Sequence, residues 1–261
     1  MLQILLHSSK TMRPIPSELL PYSEPRLLAQ ANALATYLKT FEPDTIARVM
    51  KLSSKKAIET HDMLMNWNHT PTETRPAIDA FIGDIYSGLQ VQSLTDVDRR
   101  YAHKHLLILS GLYGGLRALD SIAPYRLEMG YRLPDEPYRN LYTYWSDTIA
   151  GLIPETATHI VNLSAIEYTK AVLPYLSQPV VTPKFMTVSP KNGEPTFVVV
   201  HAKIARGAFA RWMIMHQIND ASRLIEFDEL GYVYDASLST IEEPVFVCQA
   251  FGGLGLSVRL T

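Results

Sequence analysis

Leu106-Leu107-Ile108-Leu109-Ser110-Gly111-Leu112-Tyr113-Gly114 is the stretch on which the fold class turns. An aliphatic run passes straight into serine and glycine, the form of a buried strand that ends in a tight turn. Helical and strand patterns alternate on both sides of it. Upstream, Thr95 and Asp96 open a helix over roughly Asp98–His105. Further back, Ala77–Phe81 reads as a strand or short helix leading to Gly83-Asp84-Ile85-Tyr86-Ser87-Gly88-Leu89. Pro71 and Pro76 frame a loop before it.

Met1–His7 reads as the first strand, and Pro14, Pro16, Pro21 and Pro25 predict an extended connection over 12–25. Leu27, Leu28, Ala31, Leu34, Ala35 and Leu38 share one side of a helix over 26–41. Glu42-Pro43-Asp44 breaks it, and Asp44 is expected to cap a helix over Thr45–Met50. Leu52-Ser53-Ser54-Lys55-Lys56 is then a polar corner, with Ser53 or Ser54 capping a helix to about Asn66.

Downstream of the glycine turn, a helix is expected near Leu141–Leu152, a buried strand over Thr158–Leu163 and a helix over Ile166–Leu176. Val180–Val188 and Thr196–His201 read as strands joined by the turn Lys191-Asn192-Gly193. A helix over Ala208–Ile218 and strands at Tyr232–Tyr234 and Val245–Phe251 close the chain. No linker or repeat divides it, so residues 1–261 are expected to form one mixed α/β domain, a mixed sheet with surrounding helices.

The bulk numbers narrow the function classes. Hydrophobic residues make up 47% and charged residues 19%, so the chain has material for a core. A net charge of -2 means that nucleic acid could be held only by a local basic patch. Cys248 is the only cysteine, which excludes an intrachain disulfide and four-cysteine metal sites. No apolar run approaches the roughly 18–20 residues of a membrane span. A soluble, cytoplasmic protein with no membrane partner is expected.

The common nucleotide, metal and nucleophile motifs are missing. There is no Gly-x-x-x-x-Gly-Lys-Ser/Thr loop, no Gly-x-Gly-x-x-Gly after a strand, no His-Glu-x-x-His and no Gly-x-Ser-x-Gly. His103 and His105, two apart on a helix, are poor joint metal ligands. No metal site and no cofactor are therefore expected.

Four stretches remain as candidates. Lys10 and Thr11 follow the first strand, where α/β sheets hold ligands, though a solvated turn explains them equally well. Tyr125-Arg126-Leu127-Glu128 sets a guanidinium and a carboxylate on one side of an extended segment. Arg126 suits bidentate anion recognition and Glu128 acid–base chemistry; a structural Arg–Glu pair is the alternative. Lys203 and Arg206, three apart, are expected on the first turn of a helix, an anion site if they are not merely an exposed charged turn. Arg48, Lys51, Lys55 and Lys56 surround the polar corner and could track a nucleic-acid backbone, although Glu59 and Asp62 dilute the charge.

Taken together these stretches resemble one family, the bacterial YaaA proteins associated with resistance to peroxide stress. The resemblance rests on Lys10-Thr11, Gly83–Leu89, Leu109–Gly114, Pro124–Gly130, Asn162-Leu163 with Glu167-Tyr168, Ala202-Lys203 with Ala205-Arg206-Gly207, and Gly231-Tyr232, in the family's order. It implies a DNA-binding protein that limits iron-driven oxidative damage, with a single unusual α/β fold, a positively lined cleft and a helix-hairpin-helix-like element. Lys10, Thr11, Arg126, Lys203 and Arg206 would line the cleft; Lys51, Ser53, Ser54, Lys55 and Lys56 would bind DNA, duplex or with an overhang, from the hairpin at Thr45–Asn66.

The chain departs from the family's pattern in three places. Serines replace hairpin glycines, His7-Ser8-Ser9 stands where Ser-Pro-Ala is usual, and Ile204 stands where a second lysine is frequent. The competing expectation is an enzyme acting on a small anionic nucleotide or carboxylate, held by Arg126 and Lys203, with Glu128 and Tyr86 as acid–base groups. Convergence of Lys10, Arg126, Glu128, Lys203 and Arg206 on one cavity is the structural test.

Overall fold

The computed structural model describes residues 1–13, 23–70 and 74–252. In chain order the elements are β1 (Leu2–His7), β2 (Thr11–Met12), α1 (Leu28–Leu38), α2 (Pro43–Met50), α3 (Ser54–Met65), β3 (Arg75–Pro76), α4 (Ala77–Ala80) and β4 (Phe81–Ile82). They continue as α5 (Asp84–Leu89), α6 (Asp96–His105), β5 (Leu106–Ser110), β6 (Gly114–Arg117), β7 (Ser121–Ile122), α7 (Leu141–Trp145), β8 (His159–Asn162) and α8 (Ile166–Thr169). The last are β9 (Val180–Val181), β10 (Lys184–Val188), β11 (Pro195–Thr196), α9 (Val199–Met215), β12 (Tyr232–Tyr234) and β13 (Val245–Cys248).

The fold is mixed α/β, as expected. A five-stranded sheet has the order β6-β5-β1-β8-β9. Its inner strands β5, β1 and β8 are parallel, β9 continues parallel to β8, and β6 folds back antiparallel on β5. Leu2–Leu6 and the whole of β5 are buried, the near-continuous apolar runs that a parallel sheet covered on both faces demands. His7 pairs with Leu109 in register, so β1 and β5 run out at the same end. β8 ends beside them at Asn162.

A four-stranded sheet, β11-β10-β13-β12, is built around Phe185, Tyr232 and Phe246. Helix α9 connects the two halves of the molecule. Its Phe209 packs against Phe185, Phe227 and Phe246. Its Gly207 meets α5 so closely that an added Cβ would overlap the Ile85 carbonyl, and a Cβ on Gly88 would overlap the Ile204 carbonyl. Two backbones in direct contact require glycine at both positions.

The helical pair at the polar corner forms as expected. Lys51 takes a left-handed conformation at φ 52°, and the Leu52 N–H returns to the Ala47 carbonyl, closing α2. The Ser53 hydroxyl accepts the Lys56 N–H at 3.4 Å and opens α3. Asp44 does not cap α2. Pro43 already occupies the first helical turn, where its missing N–H costs nothing, and Glu42 is the flanking residue.

Other expectations are corrected. Thr196–His201 is not a strand, because β11 stops at Thr196 and α9 begins at Val199. The β-branched run Val198-Val199-Val200 favours a strand locally, and the burial of α9 against both halves of the molecule overrides it. Val180–Val188 is two strands in different sheets, separated at Pro183. The helix expected over Leu141–Leu152 is interrupted at Ser146, whose φ is 44°. The one expected over Ile166–Leu176 gives way to a 3-10 turn at Leu173–Tyr175, around Pro174. The proline-rich segment over 14–22 and the loop at Pro71 lie outside the described residues.

Candidate functional site

The C-terminal ends of β1 and β8 open into a cavity of about 500 Å³. This is where open α/β sheets hold ligands, because the strand ends and following loops leave a crevice there. Lys10, Thr11, Tyr86, Glu128 and Lys203 all line it, so three of the five residues in the convergence test share one space. Arg206 lies one turn beyond Lys203 on the same side of α9. Arg126 is not part of the lining; its guanidinium donates to the Lys10 carbonyl at 3.3 Å.

The run 125–129 alternates as an extended segment must. Tyr125, Leu127 and Met129 are buried, while Arg126 and Glu128 face outward. Gly111 seats the run, since a Cβ there would press on the Leu127 carbonyl. Tyr125 shares a 2.7 Å hydrogen bond with Ser110 at the end of β5. Arg126 and Glu128 are not paired with each other. Glu128 holds the Lys10 ammonium at 2.7 Å, so both side chains organise the loop after β1. The bond to Glu128 raises the Lys10 pKa.

His7 forms the floor of the site and was not a candidate from the sequence. Its Nδ1 accepts the Ala165 N–H at 3.1 Å, with the Ser164 hydroxyl 3.2 Å away, which leaves the proton of the neutral ring on Nε2. Burial, with Arg206 and Lys203 nearby, pushes its pKa down to about 3, so the ring is neutral at ordinary pH. Tyr168 stacks on it at 4.9 Å between ring centroids and donates towards Glu128 Oε1 at 3.5 Å. Burial first, then the Glu128 charge, raises the Tyr168 pKa. The position that found Lys10, directly after a strand, applies equally to His7 and Ser8.

Tyr86 is less suited to proton transfer than the sequence implied. Its hydroxyl donates to the His7 carbonyl at 3.0 Å, and burial holds its pKa well above the ordinary phenol value. Lys203 and Arg206 both lie past the first turn of α9, so their own N–H groups are spent inside the helix. What they offer is side-chain charge alone. Burial lowers the Arg206 pKa, and among the described residues neither side chain has a hydrogen-bond or ion-pair partner.

A second cleft of about 570 Å³ adjoins the first and shares Glu128 and Glu167 with it. Arg48 and Lys51 reach it from the α2–α3 corner, facing Tyr131 and Arg132. Ser53, Ser54, Lys55 and Lys56 lie beyond this cleft, and Lys56 is paired with Glu59 at 2.8 Å. No cluster of His, Cys, Asp or Glu among the described residues could hold a metal ion. No described helix is long and apolar enough to cross a membrane.

Residues 2–238 match the family model described as peroxide stress protein YaaA. The chain belongs to the YaaA family. It is 52% identical to a UPF0246 protein of Salinispora tropica over 257 residues, 98% of this chain and 97% of that protein. Similar proteins of Bordetella avium and a Marinomonas species are each 41% identical, covering 94% and 87% of this chain and 98% and 88% of their own. Gly88 and Gly207 are the two sides of the α5–α9 contact that carries Lys203 to the cavity. At the end of β1 this chain places the half-buried His7 and, next to it, the Ser8 hydroxyl that donates to Tyr168 at 3.3 Å.

Proposed function

We propose that this YaaA-family chain binds DNA, duplex or with an overhang, as part of the cytoplasmic response to peroxide stress, limiting iron-driven damage. Family membership supports the peroxide-stress setting. The observation that carries DNA binding is the continuity of the two clefts. Lys10 and Lys203 on one and Arg48, Lys51 and Arg132 on the other lie along a single surface path through the shared rim of Glu128 and Glu167. Spaced cations on such a path suit successive phosphates, and the α2–α3 corner projects Lys55 and Lys56 as further contacts.

Binding of the full chain to a duplex and to an overhang oligonucleotide, followed by fluorescence anisotropy, tests this. The logarithm of affinity is expected to fall with the logarithm of salt at a slope of ~0.9 per phosphate neutralised. No salt-sensitive binding at about 50 mM salt rejects the reading.

One observation favours a second reading, an enzyme acting on a small anionic substrate. The strand-end cavity, at about 500 Å³, has the size of a small-molecule pocket. With the Tyr86 hydroxyl committed to the His7 carbonyl, Glu128 is the remaining acid–base candidate. Unchanged ligand affinity and unchanged activity in Glu128→Gln would remove this reading.

A further inference from the structure

The cations of the strand-end cavity are not arranged for a polymer backbone alone. Lys203 lines the cavity from α9, and Arg206 follows one turn later. Neither side chain has a partner among the described residues, although burial makes an unpaired guanidinium costly. Both charges act on His7, whose Nδ1 is occupied by the Ala165 N–H and whose Nε2–H is the remaining donor of the neutral ring. Two positive charges beside one neutral donor match a doubly charged oxyanion. A phosphodiester brings one negative charge, whereas a phosphate monoester brings close to two at neutral pH.

The carboxylates of the same lining have different chemistry. Glu128 is neutralised by Lys10, and Glu167 accepts the Gly130 N–H at 2.8 Å. Their oxygens are acceptors suited to sugar hydroxyls or an exocyclic amine rather than to a second phosphate. A volume of about 500 Å³ accommodates one nucleotide and not a duplex.

We infer that the strand-end cavity binds the phosphate monoester of a single nucleotide unit, with the phosphate on Lys203, Arg206 and His7 Nε2–H and the nucleoside towards Glu128. The choice of a nucleoside as the group carrying the phosphate rests on the DNA-binding reading above. The monoester has two sources, a free mononucleotide and the 5′-phosphorylated end of a strand.

Calorimetric titration of the full chain with dAMP, deoxyadenosine and inorganic phosphate tests the site, with a 5′-hydroxyl duplex as a separate arm. Binding of dAMP is expected, with deoxyadenosine and inorganic phosphate each weaker. Lys203→Gln should weaken dAMP by ~10-fold or more, the loss of one charge-assisted hydrogen bond, while Lys203→Arg retains most of the affinity. A 5′-phosphorylated oligonucleotide that displaces dAMP where its 5′-hydroxyl counterpart does not identifies the strand end; failure of both to displace identifies the free nucleotide.

No dAMP binding at millimolar concentration, with salt-sensitive duplex binding intact, overturns the inference and leaves the DNA reading standing. Equal affinity in wild type and Lys203→Gln, with matching urea midpoints, also overturns it. Inorganic phosphate binding as tightly as dAMP removes the nucleoside part. Binding of dAMP with no duplex binding upholds the cavity and rejects the DNA reading.

Discussion

Burial takes His7 out of water and sets it near Lys203 and Arg206, so its pKa falls to about 3. The unfolded chain regains an ordinary imidazole near pH 6.5. Between these values the unfolded state binds a proton that the folded state refuses, so stability present above pH 6.5 is lost as the pH falls. The slope from this one group is at most ~1.4 kcal/mol per pH unit. His103, His105 and His201 are depressed by burial too and contribute with the same sign, so the informative quantity is a difference. We expect His7→Gln to flatten the loss of urea stability between pH 7 and 5 by ~1–2 kcal/mol relative to wild type. Parallel curves for the two proteins would reject this. The Lys10–Glu128 pair behaves differently, because Lys10 is half exposed and such pairs are worth ~1 kcal/mol or less. Glu128→Gln should therefore leave the urea midpoint nearly unchanged, so that any loss of ligand binding reports on the site. Lys10 and Glu128 were legible as candidates from strand-end position and extended alternation. Their partnership was not, because it joins segments 118 residues apart.

Elements of this fold are held by close approach as much as by apolar area. A Cβ on Gly207 would overlap the Ile85 carbonyl of α5, and backbone cannot rotate away as a side chain can. Gly207→Ala is expected to cost ~3 kcal/mol or more in chemical denaturation, the upper end for overpacking. Gly151→Ala, where nothing lies within 4 Å of the added Cβ, should stay within ~0.5 kcal/mol. Equal effects at the two sites would show that α5 and α9 can move apart. The α2–α3 corner makes the opposite case. Lys51 holds a φ of 52°, which strains any L-residue, while its charge lines the second cleft. Lys51→Gly should raise stability by up to ~1 kcal/mol and lower the salt slope of DNA binding by about one. A fall in stability, or an unchanged slope, would separate this residue from the role given to it. The corner was legible because caps are local signals. The start of α9 was not, because three consecutive valines favour strand and only distant contacts reverse that preference.

The molecule as a whole depends on residues beyond the stretch that the family model matches. That match ends at residue 238, yet β13 at Val245–Cys248 lies between β10 and β12. Among the described residues strand β12 pairs with β13 alone, and Phe246 packs against Phe185, Phe209 and Phe227 with no exposure. Phe209 belongs to α9, the helix that also supplies Lys203, so the second sheet is mechanically joined to the strand-end cavity. Alternation of strands and helices made a single domain legible, but strand order was beyond reach because pairing between distant segments leaves no local mark. If the two sheets form one cooperative unit, tryptophan fluorescence and far-ultraviolet circular dichroism should report the same single urea transition. Phe246→Ala should then shift both probes together, by ~3–5 kcal/mol, the cost of emptying a buried aromatic site. It should also weaken ligand binding at the cavity, as the loosened α9 carries Lys203 out of position. Two separated transitions, with only one displaced by Phe246→Ala, would show instead that the sheets fold as independent units and that the cavity belongs to the first alone.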